Sequence, residues 1–196
     1  MSYWMNVSID LMIEHTPNDH TGDEDGGKWM RIDEELHQDF NDRGRELAVF
    51  LEGRVTYELM DPYWPDVLKD PDASPIAREW AEIWTCKPKV MVSNTRTEAG
   101  HGTRVIGGDD AIEQLAALRD EVDGTIGVGG SGVATQLLEA GLLDELVLYT
   151  HPAVLGSGKP LFQRLAEPLE CDLIEQKSFT NGVVLHRYQL VGGRAE

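Results

Sequence analysis

Cations are scarce in this chain. Its 196 residues carry 17 Lys and Arg against 35 Asp and Glu, for a formal net charge of -18 at pH 7. That balance argues against a nucleic-acid or anionic-membrane partner, because both are held by clustered Lys and Arg. Long apolar runs are missing as well. No stretch approaches the roughly 20 apolar residues of a membrane span. The N-terminus also has no charged segment leading into an apolar one with a small-residue cleavage site, so the expected location is cytoplasmic. Cysteine is nearly absent: Cys86 and Cys171 stand alone, with no C-x-x-C pair. This excludes a disulfide framework and a zinc site, and both residues read as small apolar core positions. Repeats and low-complexity tracts are lacking too. With 41% hydrophobic residues, the length suits one core and a single domain over 1–196.

What is present is an alternation of strand-like and helix-like segments. Met5 to Ile13 reads as a buried strand, and His15 to Lys28, crowded with turn formers, as a loop. Asp33 to Leu47 places Leu36, Phe40 and Leu47 near helical spacing behind an acidic start. A short strand, Ala48 to Glu52, then leads into a helix at Val55 to Met60. Asp61 to Pro75 holds four of the nine prolines and predicts an irregular excursion, followed by a helix at Ile76 to Trp84. Strands are expected at Lys89 to Ser93, Thr103 to Ile106, Thr125 to Val128 and Glu145 to Thr150. Helices are expected at Asp109 to Val122, with Ile112, Leu115 and Leu118 inward, and at Gly132 to Ala140. The tail differs: Leu169 to Ser178 and Val183 to Val191 flank Asn181-Gly182, a strong hairpin signal. The expected fold is α/β, with a mostly parallel central sheet and a C-terminal antiparallel hairpin.

Gly127-Val128-Gly129-Gly130-Ser131-Gly132 fits G-x-G-x-x-G and lies between a predicted strand and a predicted helix. Glycines there let a backbone approach a pyrophosphate, and the exposed N–H groups of a helix start favour an anion; a ligand-free tight turn is the other reading. A Rossmann dinucleotide domain does not fit. That fold opens with the motif and ends the next strand on an acidic residue, whereas here the motif comes late and Asp144 and Glu145 begin the next strand.

The block Val128 to Phe162 resembles the signature of the riboflavin-biosynthesis reductase domain, the C-terminal RibD-type branch of the dihydrofolate reductase-like superfamily. Met5 to Asp10 resembles its opening strand, Gly53-Arg54-Val55-Thr56-Tyr57-Glu58 its G-R-x-T-Y-E turn, and Ser178 to Tyr188 its closing hairpin. The resemblance implies a three-layer α/β/α fold that binds NADPH through three turns. Gly53, Arg54 and Thr56 would meet phosphate; Ser93, Asn94 and Thr95, with Arg96 beside them, would receive the 2'-phosphate side; Gly129, Gly130, Ser131, Gly132 and Val133 would cradle the pyrophosphate. The nicotinamide would lie near the first strand, around Ser8 to Ile13, with Ile13 a cofactor contact.

On the substrate side the resemblance points to Asp10 and Glu35 as catalytic carboxylates and to Trp29 and Tyr57 as substrate contacts. Asp10 has a second reading as the cap of a turn, and Trp29 as a core residue. Glu35 sits on the helix where dihydrofolate reductases keep a pterin-binding carboxylate, one residue off in its spacing to Phe40. Two departures stand out: Asp10-Leu11 replaces the usual Asp-Gly, and Val128 stands where riboflavin-pathway reductases tend to carry a substrate-binding carboxylate. The implied function is an NADPH-dependent reductase that moves a hydride to a pterin-like, pyrimidine-like or carbonyl small molecule, as a homodimer. The competing reading is a nucleotide-binding module without turnover, serving a regulatory or structural role.

Other motifs fail on spacing. Asp19, Asp23, Asp25 and Gly26 suggest a calcium loop, but its last ligand position falls on Ile32, where Glu is required. Ser131 lacks the G-x-S-x-G context of a hydrolase nucleophile. The H-x-E and P-C-x-x-C pattern of a deaminase is absent, and His151 and His186 read as strand residues, so no metal is expected.

Overall fold

A computed structural model describes residues 1–15, 28–163, 165 and 167–191. Most of the loop expected at His15 to Lys28, including the acidic cluster Asp19 to Gly26, lies outside the described residues. The elements follow in chain order: β1 (Ser2–Val7), β2 (Met12–Glu14), α1 (Glu34–Glu46), β3 (Leu47–Gly53), α2 (Arg54–Val67), α3 (Pro75–Cys86) and β4 (Lys89–Val92). Then come β5 (Arg104–Ile106), α4 (Ala111–Glu121), β6 (Thr125–Gly129), α5 (Ser131–Glu139), β7 (Glu145–Thr150), β8 (Lys159–Pro160), β9 (Cys171–Ser178) and β10 (Val184–Leu190). Eight strands form one sheet in the order β5-β4-β3-β6-β1-β7-β10-β9. Pairing is parallel from β5 to β7, and antiparallel where β10 meets β7 and β9.

The period-2 geometry of strands sorts the core into two layers. Tyr3, Val49, Leu51, Val90, Ile126, Val128, Leu146 and Leu148 pack against α4 and α5 through Leu115, Leu118, Val133 and Leu137. Their strand neighbours point the other way. Leu47, Phe50 and Met91 join Tyr57 and Trp84, while Val147 and Tyr149 join Leu36. Helices α1, α2 and α3 therefore cover the second face, giving the three layers expected. Each side chain fully buried in these layers contributes roughly 1.5–3 kcal/mol.

Capping explains several boundaries. Asp33 accepts from the Leu36 amide (3.0 Å) at the start of α1, and Ser74 from the Ala77 amide (3.3 Å) ahead of Pro75 in α3. The closing hairpin turns at Asn181-Gly182, where Gly182 has φ +87.

The structure corrects three expectations. The opening strand stops at Val7 instead of running to Ile13, because the Ser8 amide donates back to the Met12 carbonyl (2.9 Å) and Leu11 turns at φ 57. β2 then pairs with β8 in a separate two-stranded sheet. The excursion from Asp61 is helical as far as Val67: α2 continues through Pro62 and Pro65, although each removes a backbone bond and crowds the carbonyl four residues before it. Finally, Cys86 and Cys171 are both exposed, at the end of α3 and at the start of the edge strand β9, where neither faces a core layer.

Candidate active site

The second face of the sheet contains a hole, and the sequence of β6 makes it. Ile126 and Val128 send their side chains to the α4/α5 layer, so the alternate positions facing α1 to α3 are Gly127 and Gly129. The Leu47 side chain packs over Gly127, and a cavity of about 360 Å³ remains along this strand. Its walls are Trp4 and Asn6 from β1, Phe40 from α1, Phe50 from β3, Trp64 from α2, Trp80 from α3 and Tyr149 from β7. This is an apolar, aromatic slot suited to a flat ring.

One end of the slot is bordered by the predicted phosphate turns. Gly129 and Thr56 line the cavity themselves. Gly130 takes φ +102, a conformation only glycine adopts without strain, and a Cβ there would lie 3.0 Å from Thr56 Oγ1 and 3.6 Å from the Gly53 amide nitrogen. The Gly53 turn and the Gly129–Val133 turn thus touch, and each opens a helix, α2 and α5, whose first N–H groups attract anions. Ser131 is buried at the first position of α5, and Val133 belongs to the core beneath it.

Arg54 donates to Glu58 Oε2 (2.6 Å), and Arg96 donates from Nε to Glu58 Oε1 (2.9 Å). Two guanidiniums thus share one carboxylate beside the cradle, with Asp61 and Glu98 on the same cavity as Glu58 and Arg96. Hydrogen bonds from both arginines also hold the Glu58 carboxyl below the usual carboxylate range. The third turn is internally tied. Buried Ser93 accepts from the amides of Thr95 (3.1 Å) and Arg96 (3.0 Å), and Asn94 Oδ1 accepts from the Gly108 amide (2.9 Å). β3, β4 and β6 are neighbours, so all three turns leave the same carboxyl edge of the sheet.

Among the polar side chains in the lining, two have an unmet hydrogen bond. Glu52, the penultimate residue of β3, is 6% exposed; its Oε1 accepts from Trp84 Nε1 (3.1 Å), while Oε2 has no partner. Burial pushes its pKa from 4.5 up to about 7, against the opposing pull of the Trp84 bond and of Lys89. His37 on α1 also lines the cavity with Nδ1 outside hydrogen-bond geometry, and burial lowers its pKa. Sequence reasoning missed both residues. Glu52 carried a signal all the same: a carboxylate that ends an apolar strand, one residue before the Gly53-Arg54 turn.

The residues expected on the substrate side lie elsewhere. Asp10 accepts from Ser8 Oγ (2.6 Å) and from the amides of Leu155 (3.1 Å) and Gly156 (2.7 Å), which hold its pKa down to about 2. It caps a turn. Glu35 is exposed and accepts from both the amide (3.1 Å) and the hydroxyl (2.5 Å) of Thr180 in the closing hairpin. Neither carboxylate lines the cavity. Tyr57 is buried on another side of α2, its hydroxyl bonded to Asp61 (2.7 Å), Gly100 and Thr103, and it borders a second, polar cavity of about 320 Å³. Trp29 packs edge-on against His151 (5.5 Å between centroids), next to the lining residue Met30. Ile13, on β2, packs against the large core. His151 follows β7 and is buried, accepting from the Arg31 amide on Nδ1 and meeting Asn6 through Nε2; burial lowers its pKa to about 4. Among the described residues no cluster of His, Cys, Asp and Glu could hold a metal, and no helix is long and apolar enough to cross a membrane.

A fold of this topology, with a glycine cradle at the carboxyl edge of a mainly parallel sheet, defines a dihydrofolate reductase-like α/β protein. The model of the RibD C-terminal domain family matches residues 19–185, and the chain belongs to that family. It is similar to YyaP of Bacillus subtilis (strain 168), an uncharacterized protein, with 29% identity over 157 residues and 80% of each chain covered. A Shewanella sp. PV-4 protein named for riboflavin biosynthesis superposes with a TM-score of 0.69 at 22% identity, covering 97% of this chain and 98% of that one. Dihydrofolate reductase from Enterococcus faecalis, complexed with NADP(H), superposes with a TM-score of 0.57 at 15% identity, covering 96% and 95%.

Proposed function

We propose that the chain is an NADPH-dependent reductase of a small planar heterocycle or carbonyl compound. The observation that carries this reading is the contact between the two halves of the site: an aromatic slot of about 360 Å³ whose end wall, Gly129 and Thr56, also forms the phosphate cradle. A dinucleotide held at the cradle would extend its reactive ring into the adjoining slot.

The residues present suit NADPH. Gly53, Thr56 and Gly129–Val133 would hold the pyrophosphate through backbone N–H groups and the Thr56 hydroxyl. Arg54 and Arg96, paired on Glu58, would add charge-assisted bonds to the 2'-phosphate side, with Ser93, Asn94 and Thr95 shaping that turn. β1, through Trp4 and Asn6, would border the nicotinamide, whereas the turn at Ser8 to Ile13 does not line the slot. When bound, the reduced nicotinamide supplies a hydride. The chain contributes orientation of two stacked rings and exclusion of water by Trp4, Phe40, Phe50, Trp64 and Trp80.

The test is titration of the protein with NADPH, followed by NADPH oxidation against dihydrofolate and the pyrimidine intermediate of riboflavin synthesis. Binding is expected, with turnover of at least one heterocycle; absence of binding overturns the reading. Arg54→Ala should weaken NADPH by about 10-fold, the loss of one charge-assisted contact of roughly 1.5 kcal/mol. A smaller effect on NADH would place Arg54 at the 2'-phosphate, and an equal effect at the pyrophosphate.

A further inference from the structure

Glu52 is held in an arrangement that the fold alone does not explain. Its Oε2 is buried with no partner, on a residue that lines a largely aromatic and apolar cavity in which Asn6, His37 and Thr56 are the other polar side chains nearby. The cation nearest in charge terms, Lys89, is committed elsewhere: Nζ donates to the carbonyls of Trp84 (3.0 Å), Thr85 (3.2 Å) and Lys87 (2.9 Å), and lies over the Trp84 ring at 4.6 Å. The remaining titratable groups around the slot offer Glu52 no bond. Asp61 on α2 repels its charge, Tyr149 on β7 gives its hydroxyl to Asp39, and His37 on α1 has its own open Nδ1. In register, Glu52 stands beside Gly129, and a Cβ on Gly129 would be 3.7 Å from Glu52 Cγ. Glu52 therefore lines the cavity beside the cradle, with Oε2 shielded from solvent, unbonded and a side-chain rotation away from it.

We propose that Glu52 is the group that bonds the polar edge of the substrate ring through Oε2 and hands its proton to the heteroatom of the bond being reduced. The proposal deepens the reductase reading and rests on it. It also narrows the substrate class to planar heterocycles with a ring C=N or lactam C=O, whose polar edge can meet a single carboxyl in an apolar slot. In the step, the ring carbon gains the hydride and its nitrogen or oxygen gains the Oε2 proton. Glu52 is left as the carboxylate, which the Trp84 N–H and the charge of Lys89 stabilise, and solvent water restores its proton. A group that holds and releases a proton near neutral pH suits general acid work, and burial places Glu52 in that range. Trp84 is then a positioning residue.

The experiment follows Glu52 itself, using side-chain 13C-labelled glutamate in the intact chain, the Glu52→Gln variant, and 5,6-diaminouracil as the ring probe. One carboxyl signal should titrate near pH 7 and be missing in Glu52→Gln. Saturating probe should displace that midpoint, and Glu52→Gln should bind the probe about 5- to 100-fold more weakly, the range for a lost bond to a buried polar group. Trp84→Phe should move the same midpoint upward, because it removes a bond that favours the carboxylate. A signal that titrates with the ordinary carboxylates, or that ignores the probe, overturns the proposal, as does unchanged probe binding in Glu52→Gln. NADPH oxidation separates the two readings. Turnover in Glu52→Gln with the wild-type pH profile overturns the proton transfer alone. Failure of the wild-type chain to bind NADPH overturns the reductase reading, while the probe and the carboxyl signal still decide whether Glu52 meets a ring.

Discussion

Asp39 and Glu52 are carboxylates buried on the same side of the sheet, and the protein treats them oppositely. Asp39, on α1 and 8% exposed, accepts from Tyr149 Oη (2.8 Å), Lys177 Nζ (2.8 Å) and Arg43 Nε (2.9 Å). Burial pushes its pKa up, but the bonds from Lys177, Tyr149 and Arg43 outweigh that and hold it below the usual range. Glu52 has one donor, Trp84, and burial wins. The Asp39 cluster ties α1 to β7 and β9 and is complete without any ligand. The Glu52 pocket is incomplete, and Glu52 itself lines the cavity, which the Asp39 cluster reaches only through the ring of Tyr149. Burial by itself does not mark a site; burial with an unmet bond at the edge of a hole does.

Removing the satisfied carboxylate should have the larger effect. Asp39→Asn strips the counter-charge from Arg43 and Lys177 and should destabilise the fold by about 3 kcal/mol at neutral pH in urea unfolding. Because the folded pKa is depressed, this contribution is present above the ordinary carboxylate pKa and is lost as pH falls through the folded value. The variant and wild type should therefore converge in acid. Equal stability at pH 7 would dissolve the contrast.

The unsatisfied carboxylate should respond with the opposite sign. A pKa raised from 4.5 to about 7 means that the folded state keeps a proton the unfolded chain has released, so stability falls as pH rises across that window and is level above it. Glu52→Gln keeps the shape and an acceptor for Trp84 while removing the charge. It should match wild type near pH 4 and exceed it by on the order of 2 kcal/mol at pH 8. A pH-independent difference would show that Glu52 titrates as an ordinary glutamate and would remove the contrast with Asp39.

The scaffold was far more legible in the sequence than the pocket. Periodicity and caps located β7 at Glu145–Thr150 and α1 behind Asp33, and Asn181-Gly182 marked the closing turn, because these signals are local. The glycine motif likewise needed only its strand and helix neighbours. The substrate side depended on which side chains meet across layers, and no local pattern encodes that. Asp10 was expected near the ring because the resemblance put the nicotinamide beside the first strand, but the turn at Ser8 to Met12 delivers its carboxylate to the Leu155 and Gly156 amides. Glu35 sat on the expected helix but faces the hairpin at Thr180, whereas His37, two residues on, lines the slot. A shift of two positions on a helix turns a side chain by about 200°, which the one-residue mismatch in spacing did not reveal.

The smallest change in stability should come with a decisive change in binding, at the glycines that make the hole. Gly130→Ala forces a side chain onto φ +102 with its Cβ 3.0 Å from Thr56 Oγ1, and should cost about 1–2 kcal/mol while loosening the cradle. Gly129→Ala differs. Its Cβ would lie 3.4 Å from Thr56 Cγ2 and 3.7 Å from Glu52 Cγ, ordinary contacts, and alanine restrains the unfolded chain more than glycine does. Its stability should stay within about 0.5 kcal/mol of wild type. Yet the methyl would occupy the point where cradle, slot and Glu52 meet, so NADPH and 5,6-diaminouracil should both bind less tightly. Calorimetric titration of this one variant therefore separates the two regions: unaltered folding with lost affinity assigns the gap beside Gly129 to a ligand. Unaltered affinity would make the gap a packing defect, and Glu52 a buried acid with nothing to meet.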